Sequence, residues 1–332
     1  MPSISRRLGW ILVGSSLLLH LFTVYCFARQ PDRFAAFTVM PIWLWGGCGL
    51  LLATLAYYFL RASLSLVMTA VWTITLLVGA DEARVLANFG KQAPLPGPAE
   101  AYEGKAVIRV ITLNSAFFTY GNPAQDLAVW QPDVVLLQDV LPHQVRQIAD
   151  VLYGGHGDYR ALQTNGLVTR WKIQREIRNP NQRDAQLTLR LDNGKEIEVV
   201  NVHLATAATD LRLWRRSAWS SHRYNRIVRQ RELALTQQVL EQTNPRFPDT
   251  PTIFGGDFNA PATDIVHRQL ARDFVDAFAA AGTGWGDTFQ RRFPILRIDH
   301  IYATRHFTPV RCRAVTTRHS DHRMVVADFV MK

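Results

Sequence analysis

The chain has 332 residues, a formal net charge of +10 and three cysteines. That length leaves room for more than one region, and the positive balance points to anionic partners: nucleic acid, phosphorylated metabolites or acidic lipid. Cys26, Cys48 and Cys312 give neither a disulfide framework nor zinc-ligand spacing.

Composition divides the chain, because residues 1–80 are very apolar and almost all the charge follows. Gly9 to Ala28 runs without a formal charge and is long enough to cross a bilayer as a helix. Ala36 to Leu60 is a second such run and Ser63 to Ala80 a third, the two joined at Arg61-Ala62. The expectation is a membrane anchor over 1–85 with three transmembrane helices. His20 reads as an interhelical hydrogen bond rather than a functional group, and Trp43 and Trp45 as interface or packing residues.

The tally of flanking cations leaves orientation open, since Arg6, Arg7 and Arg61 oppose Arg29, Arg33, Arg84 and Lys91. Weight on the first helix places Arg6 and Arg7 inside and the C-terminal domain outside the cytoplasm. A signal peptide cleaved after Cys26-Phe27-Ala28, followed by two spans, gives the same side. Residues 86–104, with Pro94, Pro96, Gly97 and Pro98, read as a semi-extended linker to a domain over 105–332.

In that domain Ala106 to Leu113 alternates as a strand and ends at Asn114. Val134 to Leu137 is a buried strand ending in Gln138-Asp139, where a carboxylate is either a solvated cap or a ligand for a hard cation. Gly166 to Arg170 reads as a short strand, followed by a basic connection carrying Lys172, Arg175 and Arg178. Gln186–Leu191 and Glu196–Val202 bracket Asp192-Asn193-Gly194, a hairpin signal. The second of these strands delivers His203, either a core residue or a contact to phosphate or leaving group.

Residues 209–242 have helical composition and carry Arg212, Arg215, Arg216 and Arg223 among Trp214, Trp219 and Tyr224. That pattern suits a solvated helix face, an anion-binding rim, a surface on acidic lipid or a single-stranded nucleic acid contact. Thr252-Ile253-Phe254 then leads into Gly255-Gly256-Asp257-Phe258-Asn259. The glycines permit a sharp turn, and a carboxylate two residues from an amide suits phosphoester hydrolysis; an Asx turn is the plain alternative. Asp299 and His322 come from separate strand ends and could form a carboxylate–imidazole pair.

Taken in order, L-N-S at Asn114, the run ending at Asp139, N-V-H-L at His203, G-G-D-F-N-A, R-I-D-H-I at Asp299 and S-D-H at His322 resemble the endonuclease/exonuclease/phosphatase superfamily. The resemblance implies an α+β, DNase I-like fold: a four-layer α/β/β/α sandwich with two β-sheets face to face. It implies that Asp139 binds Mg²⁺ (or Mn²⁺) with Asn114 beside it and Asp321 at the metal edge. Asp257 would activate water, Asn259 and His322 would hold the phosphate with Asp299 behind His322, and His203 would stand near the leaving group. The family usually has Glu where this chain has Asp139, which puts the choice of metal in question.

The N-terminal spans look like those of membrane phosphatases of the teicoplanin-resistance type. The implied function is a membrane-anchored phosphoester hydrolase acting outside the cytoplasm on a lipid-linked or head-group phosphate. In that reading Arg212, Arg215, Arg216 and Arg223 contact substrate. A membrane-tethered nuclease for DNA or RNA is the second reading, and a non-catalytic binding module the third.

Overall fold

Residues 4–178, 184–206, 210 and 212–332 are described by the computed structural model; Thr209, at the start of the expected arginine-rich helix, lies outside them. The chain forms two compact units, one of Met1–Ala87 with Ala208–Arg226, the other of Asn88–Ala207 with Ile227–Lys332.

In the first unit, two helices are long and apolar enough to cross a membrane, Ile4–Arg29 and Ile42–Leu60. The expected second run is shorter than the sequence suggests because Pro41 cannot extend a helix from its N-terminal side. Residues 35–38 make a separate helical turn before it. The expected third span is a helix of 17 residues, Ser63–Gly79, about 26 Å long. It bends by 71° into Asp81–Asn88, and only the pair together reaches span length.

Small residues set the packing of these helices: a Cβ on Gly49 would meet the Trp72 ring at 2.0 Å, and one on Gly46 would meet Leu76 at 2.4 Å. His20 Nε2 lies 2.8 Å from Thr75 Oγ1, an interhelical bond as expected. Trp45 stacks on Phe37 and Trp43 donates to Glu82, so both tryptophans pack. Trp219 joins the same apolar cluster as Phe34 and Phe37, and Arg226 donates to Thr38 Oγ1.

Among the described residues, the second unit holds twelve strands: β1 (Val107–Asn114), β2 (Val134–Gln138), β3 (Asp158–Ala161), β4 (Asn165–Thr169), β5 (Lys172–Arg178), β6 (Ala185–Arg190), β7 (Glu196–His203), β8 (Thr252–Asp257), β9 (Phe274–Asp276), β10 (Asp299–Thr304), β11 (Phe307–Thr316) and β12 (Arg323–Met331). They form two six-stranded sheets, β11-β12-β1-β2-β4-β3 and β5-β6-β7-β8-β10-β9. Each sheet carries a parallel pair at its centre, β1 with β2 and β7 with β8. The basic stretch expected as a connection is instead the edge strand β5, whose alternating charges keep an unpaired edge soluble.

Alternation along the strands explains the layers. Ile111, Leu113, Val135 and Leu137 point outward, onto Val145 and Ile148 of the helix Pro142–Tyr153. Val200, Val202 and Phe254 point outward from the other sheet, onto Leu233 and Leu240 of the helix Arg216–Thr243. Between the sheets, Asn201 Nδ2 donates to the carbonyls of Leu137 and Gly166 at 3.0 and 2.9 Å, and Gln138 Nε2 donates to Asn201 Oδ1 at 2.6 Å. The result is the four-layer sandwich.

The proline-rich segment expected as a linker is strapped to this unit. Buried Arg109 donates to the carbonyls of Leu95 and Gly97, and Arg311 to that of Glu100. Both arginines pair with the buried Asp328, so a charge network fixes the segment along the β1–β12–β11 edge.

Candidate active site

Register brings three of the expected residues into one row. His203 in β7 stands opposite Asp257 in β8, and Asp257 opposite Asp299 in β10. Across the sandwich, Asn114 closes β1 opposite Gln138, and Asp139 follows in a left-handed conformation at φ 46°. That conformation is one Asp tolerates better than most side chains. Gly256 makes the row possible: its φ is 139°, and a Cβ there would lie 2.0 Å from the Val202 carbonyl.

Asp257 is the centre. Its Oδ2 accepts from Asn114 Nδ2 at 3.0 Å and lies 3.7 Å from His203 Nε2 and 4.0 Å from His322 Nε2. Its Oδ1 accepts the backbone N–H of Asn259 at 2.8 Å. Burial is the main cause raising this carboxyl above its ordinary range; the Asp299 charge adds to it, against His322, His203 and Asn114.

Asp299 Oδ2 accepts from His322 Nδ1 at 2.8 Å. Burial alone would depress the His322 imidazole, but Asp299, followed by Asp257 and Asp321, outweighs it and raises the pKa to about 10. His322 is placed by Ser320, whose Oγ donates to the Asn114 carbonyl at 2.6 Å and accepts the His322 N–H at 3.0 Å. Thr288 Oγ1 accepts the N–H of Asp299 at 3.2 Å, and the Phe289 ring lies 5.0 Å from that of His322.

Asp139 sits at the mouth, its side chain 27% exposed. Its Oδ2 accepts from Asn114 Nδ2 at 3.1 Å, and its Oδ1 lies 3.5 Å from His203 Nδ1. Asn114 Oδ1 accepts the Ala116 N–H, so as placed the amide bridges two carboxylates through its nitrogen and would have to turn over to offer oxygen to a cation. Asn259 is held by Nδ2 donating to the Leu204 carbonyl, which leaves the second amide hydrogen for another acceptor. Asp321 contributes its charge near His322, and its carbonyl accepts the Arg291 N–H at 2.7 Å.

A group of side chains able to hold a metal is Asp257, Asp299 and His322, with ligand atoms within 4.8 Å of one another. Asp299 Oδ1 is buried without a hydrogen-bond partner among the described residues. A carboxylate oxygen left over in this way, beside Asp257, is a donor set that fits a hard divalent cation. Asp139 reaches Asp257 through Asn114 and His203 rather than directly.

The four expected substrate arginines, Arg212, Arg215, Arg216 and Arg223, are all exposed and belong to the helical unit. Arg212 is paired with Asp210 at 2.7 Å. Thr288, Ser320 and Phe289 support the site without having been assigned roles from sequence; a Thr or Ser that orients a neighbour by one hydrogen bond leaves no periodic signal.

Residues 98–322 match the Endonuclease/Exonuclease/phosphatase family. No curated protein matches by sequence. Among solved structures, an endonuclease/exonuclease/phosphatase family protein from Bacteroides thetaiotaomicron is similar at TM-score 0.55 and 16% identity, over 70% of this chain and 100% of that one. The mannosyl-6-phosphatase of Bacteroides thetaiotaomicron VPI-5482 is similar at TM-score 0.54 and 17% identity, over 68% and 100%. D. rerio TDP2 complexed with a single-strand DNA product is similar at TM-score 0.50 and 16% identity, over 68% and 99%. At such identities the solved structures attest the fold alone. The match across 98–322, on a sandwich whose strand ends gather His203, Asp257, Asp299 and His322, establishes that the chain belongs to the endonuclease/exonuclease/phosphatase family.

Proposed function

We propose that this protein is a membrane-anchored, divalent-metal-dependent phosphoester hydrolase. Its catalytic unit would act outside the cytoplasm on a lipid-linked or head-group phosphate, the N-terminal spans resembling those of membrane phosphatases of the teicoplanin-resistance type. One observation carries the reaction class: a single buried carboxylate oxygen, Asp257 Oδ2, is approached by Asn114 and by the Nε2 atoms of His203 and His322. Such a carboxylate, poised between imidazoles, is suited to take a proton from water while positive groups beside it hold the phosphate.

In this reading Asp257 orients the attacking water and accepts its proton. His322, kept protonated by Asp299, offers Nε2 to a phosphate oxygen. Asn259 offers its remaining amide hydrogen to the same phosphate, and His203 gives a proton to the departing oxygen. Asp139, with Asn114 beside it and Asp321 at the metal edge, would hold Mg²⁺ or Mn²⁺. The bound cation would neutralise charge developing on the phosphoryl oxygens.

The lipid preference is supported by the two long apolar helices, which would keep the enzyme in the same bilayer as such a substrate. A nuclease reading draws on the exposed arginines among Trp214 and Tyr224. The test is phosphate release from undecaprenyl pyrophosphate by the full chain in mild detergent, with Mg²⁺ or Mn²⁺, beside plasmid nicking. Release that disappears in Asp257→Ala supports the proposal. Nicking without lipid turnover replaces it with the nuclease, and silence in both points to another phosphoester or to a metal site impaired at Asp139.

A further inference from the structure

Two loops flank the catalytic row and carry aromatic rings outward. The first follows Asn114 directly. Ala116, Phe117 and Phe118 have φ of 46°, 53° and 60°, a run of left-handed residues without glycine. L-residues enter this region singly rather than in succession, so the surroundings must hold the turn. The Phe117 N–H donates to the Asp139 carbonyl at 2.6 Å, and Gln144 Nε2 donates to the Phe117 carbonyl at 3.0 Å. The turn packs the partly buried Phe118 against the core and leaves Phe117 41% exposed beside Asp139.

The second loop runs from Phe289, whose ring packs on His322, to Leu296, which pairs back with Phe289. At its tip Phe293 is 78% exposed. Trp285 Nε1 donates to the Pro294 carbonyl at 3.0 Å and props that tip. The loops meet where the Arg291 guanidinium lies 5.1 Å from the Tyr120 ring. Arg291 is turned inward, donating to the carbonyls of Ser320 and Arg318.

We infer that Phe117, Tyr120 and Phe293, held by Arg291 and Trp285, form an aromatic rim that takes an apolar chain attached to the substrate phosphate. The inference rests on the hydrolase reading and narrows its substrate to phosphoesters of long-chain lipids. An exposed ring at a loop tip is costly in water and gains by covering hydrocarbon. The exposed Arg292 beside Phe293 offers a cation to a phosphate, and the two helices long and apolar enough to cross a membrane favour a lipid over a polynucleotide as the bearer of that phosphate. Two kinds of chain share this chemistry, prenyl and fatty acyl.

The experiment measures kcat/KM of the full chain for farnesyl against dimethylallyl diphosphate and for dioleoyl against dibutyryl phosphatidate. Phe293→Ala and Phe117→Ala are then run on the same pairs. Preference for the long chain in either series, falling roughly tenfold in the variants as expected for loss of a buried Phe contact, supports the rim and identifies the chain. Turnover with no length preference, or a preference the variants leave intact, overturns the rim while the hydrolase stands.

Binding of the same pairs to Asp257→Asn protein is measured in parallel. A long-chain binding preference lost in Phe293→Ala, without turnover in wild type, keeps the rim and sinks the hydrolase reading. Tighter binding of a thymidine oligonucleotide than of either lipid overturns the rim.

Discussion

The Nδ1 atom of His322 donates to Oδ2 of Asp299 at 2.8 Å, and both side chains are buried. This contact decides the charge of the imidazole that faces Asp257. With its pKa raised to about 10 from 6.5, His322 stays protonated through the neutral range, the state its proposed phosphate contact requires.

Asp299→Asn removes the carboxylate that keeps His322 charged. The expected result is an alkaline limb of the pH–rate profile that moves down by more than a unit. Activity at pH 8 should fall on the order of a hundredfold, the usual scale for one acid–base group. The sign for stability follows from the raised folded pKa. The contribution of His322 is full below about 6.5 and is lost as pH rises through about 10. Thermal unfolding of the wild type should therefore weaken between these limits, and that of Asp299→Asn should weaken less. An unchanged alkaline limb would remove the pair from the mechanism.

Gly256→Ala tests the turn that presents Asp257. Its Cβ would lie 2.0 Å from the Val202 carbonyl and 2.9 Å from the Val202 nitrogen, both backbone atoms that cannot rotate away. A destabilisation on the order of 3 kcal/mol is expected, with activity lost as β7 and β8 part beside His203. Gly255→Ala meets Leu136 Cδ1 at 2.7 Å, a side-chain end, and the His300 carbonyl only at 3.1 Å, and should cost about 1 kcal/mol. Denaturant titration of the two variants checks the order.

The strand ends of the site were readable because the apolar run Val134–Leu137 stops at Gln138-Asp139 and Thr252–Phe254 passes through two glycines to Asp257, and a buried strand must stop where polar groups reach solvent or a ligand. The edge strand β5 was not readable, because only Ile173 and Ile177 interrupt its polar residues and a bulge breaks the two-residue period, which resembles a basic loop. The break at Pro41 was readable in principle but was masked by the absence of charge on either side. What no local pattern carries is direction. The family resemblance implies Asn114 beside Asp139, yet only the packed structure has its amide nitrogen facing two carboxylates. Nor does an isolated Phe at 117 or 293 announce that it stands outside the core.

Arg109→Ala should be the most damaging change outside the site. The guanidinium is buried and donates to both oxygens of Asp328 at 2.7 and 3.0 Å. Removing it leaves a buried carboxylate with Arg311 at 3.3 Å as its remaining arginine. A loss of about 3–5 kcal/mol is expected. Because the same arginine holds the Leu95 and Gly97 carbonyls, limited proteolysis should also cut residues 92–100 faster in the variant than in wild type. Equal cleavage rates would show that the segment is held by other contacts.

Asp139→Glu asks whether the shorter carboxylate sets the metal. As Asp, the side chain sits 3.1 Å from Asn114 Nδ2 and 3.5 Å from His203 Nδ1 at a partly exposed mouth. Mg²⁺ demands oxygen ligands at about 2.0–2.1 Å and keeps its waters, so a short ligand favours contact through water or a more tolerant ion. Glu adds one methylene of reach, but it must occupy a left-handed residue at φ 46°, where Asp is the milder occupant. The expected outcome is a several-fold rise in Mg²⁺-supported activity relative to Mn²⁺, at roughly 1 kcal/mol of stability. Steady-state rates under each metal, with thermal unfolding beside them, test both halves. A variant that loses stability with no change in the metal ratio would mean that the cation is held mainly through Asp257 and Asp299, the buried carboxylates on the other side of the sandwich.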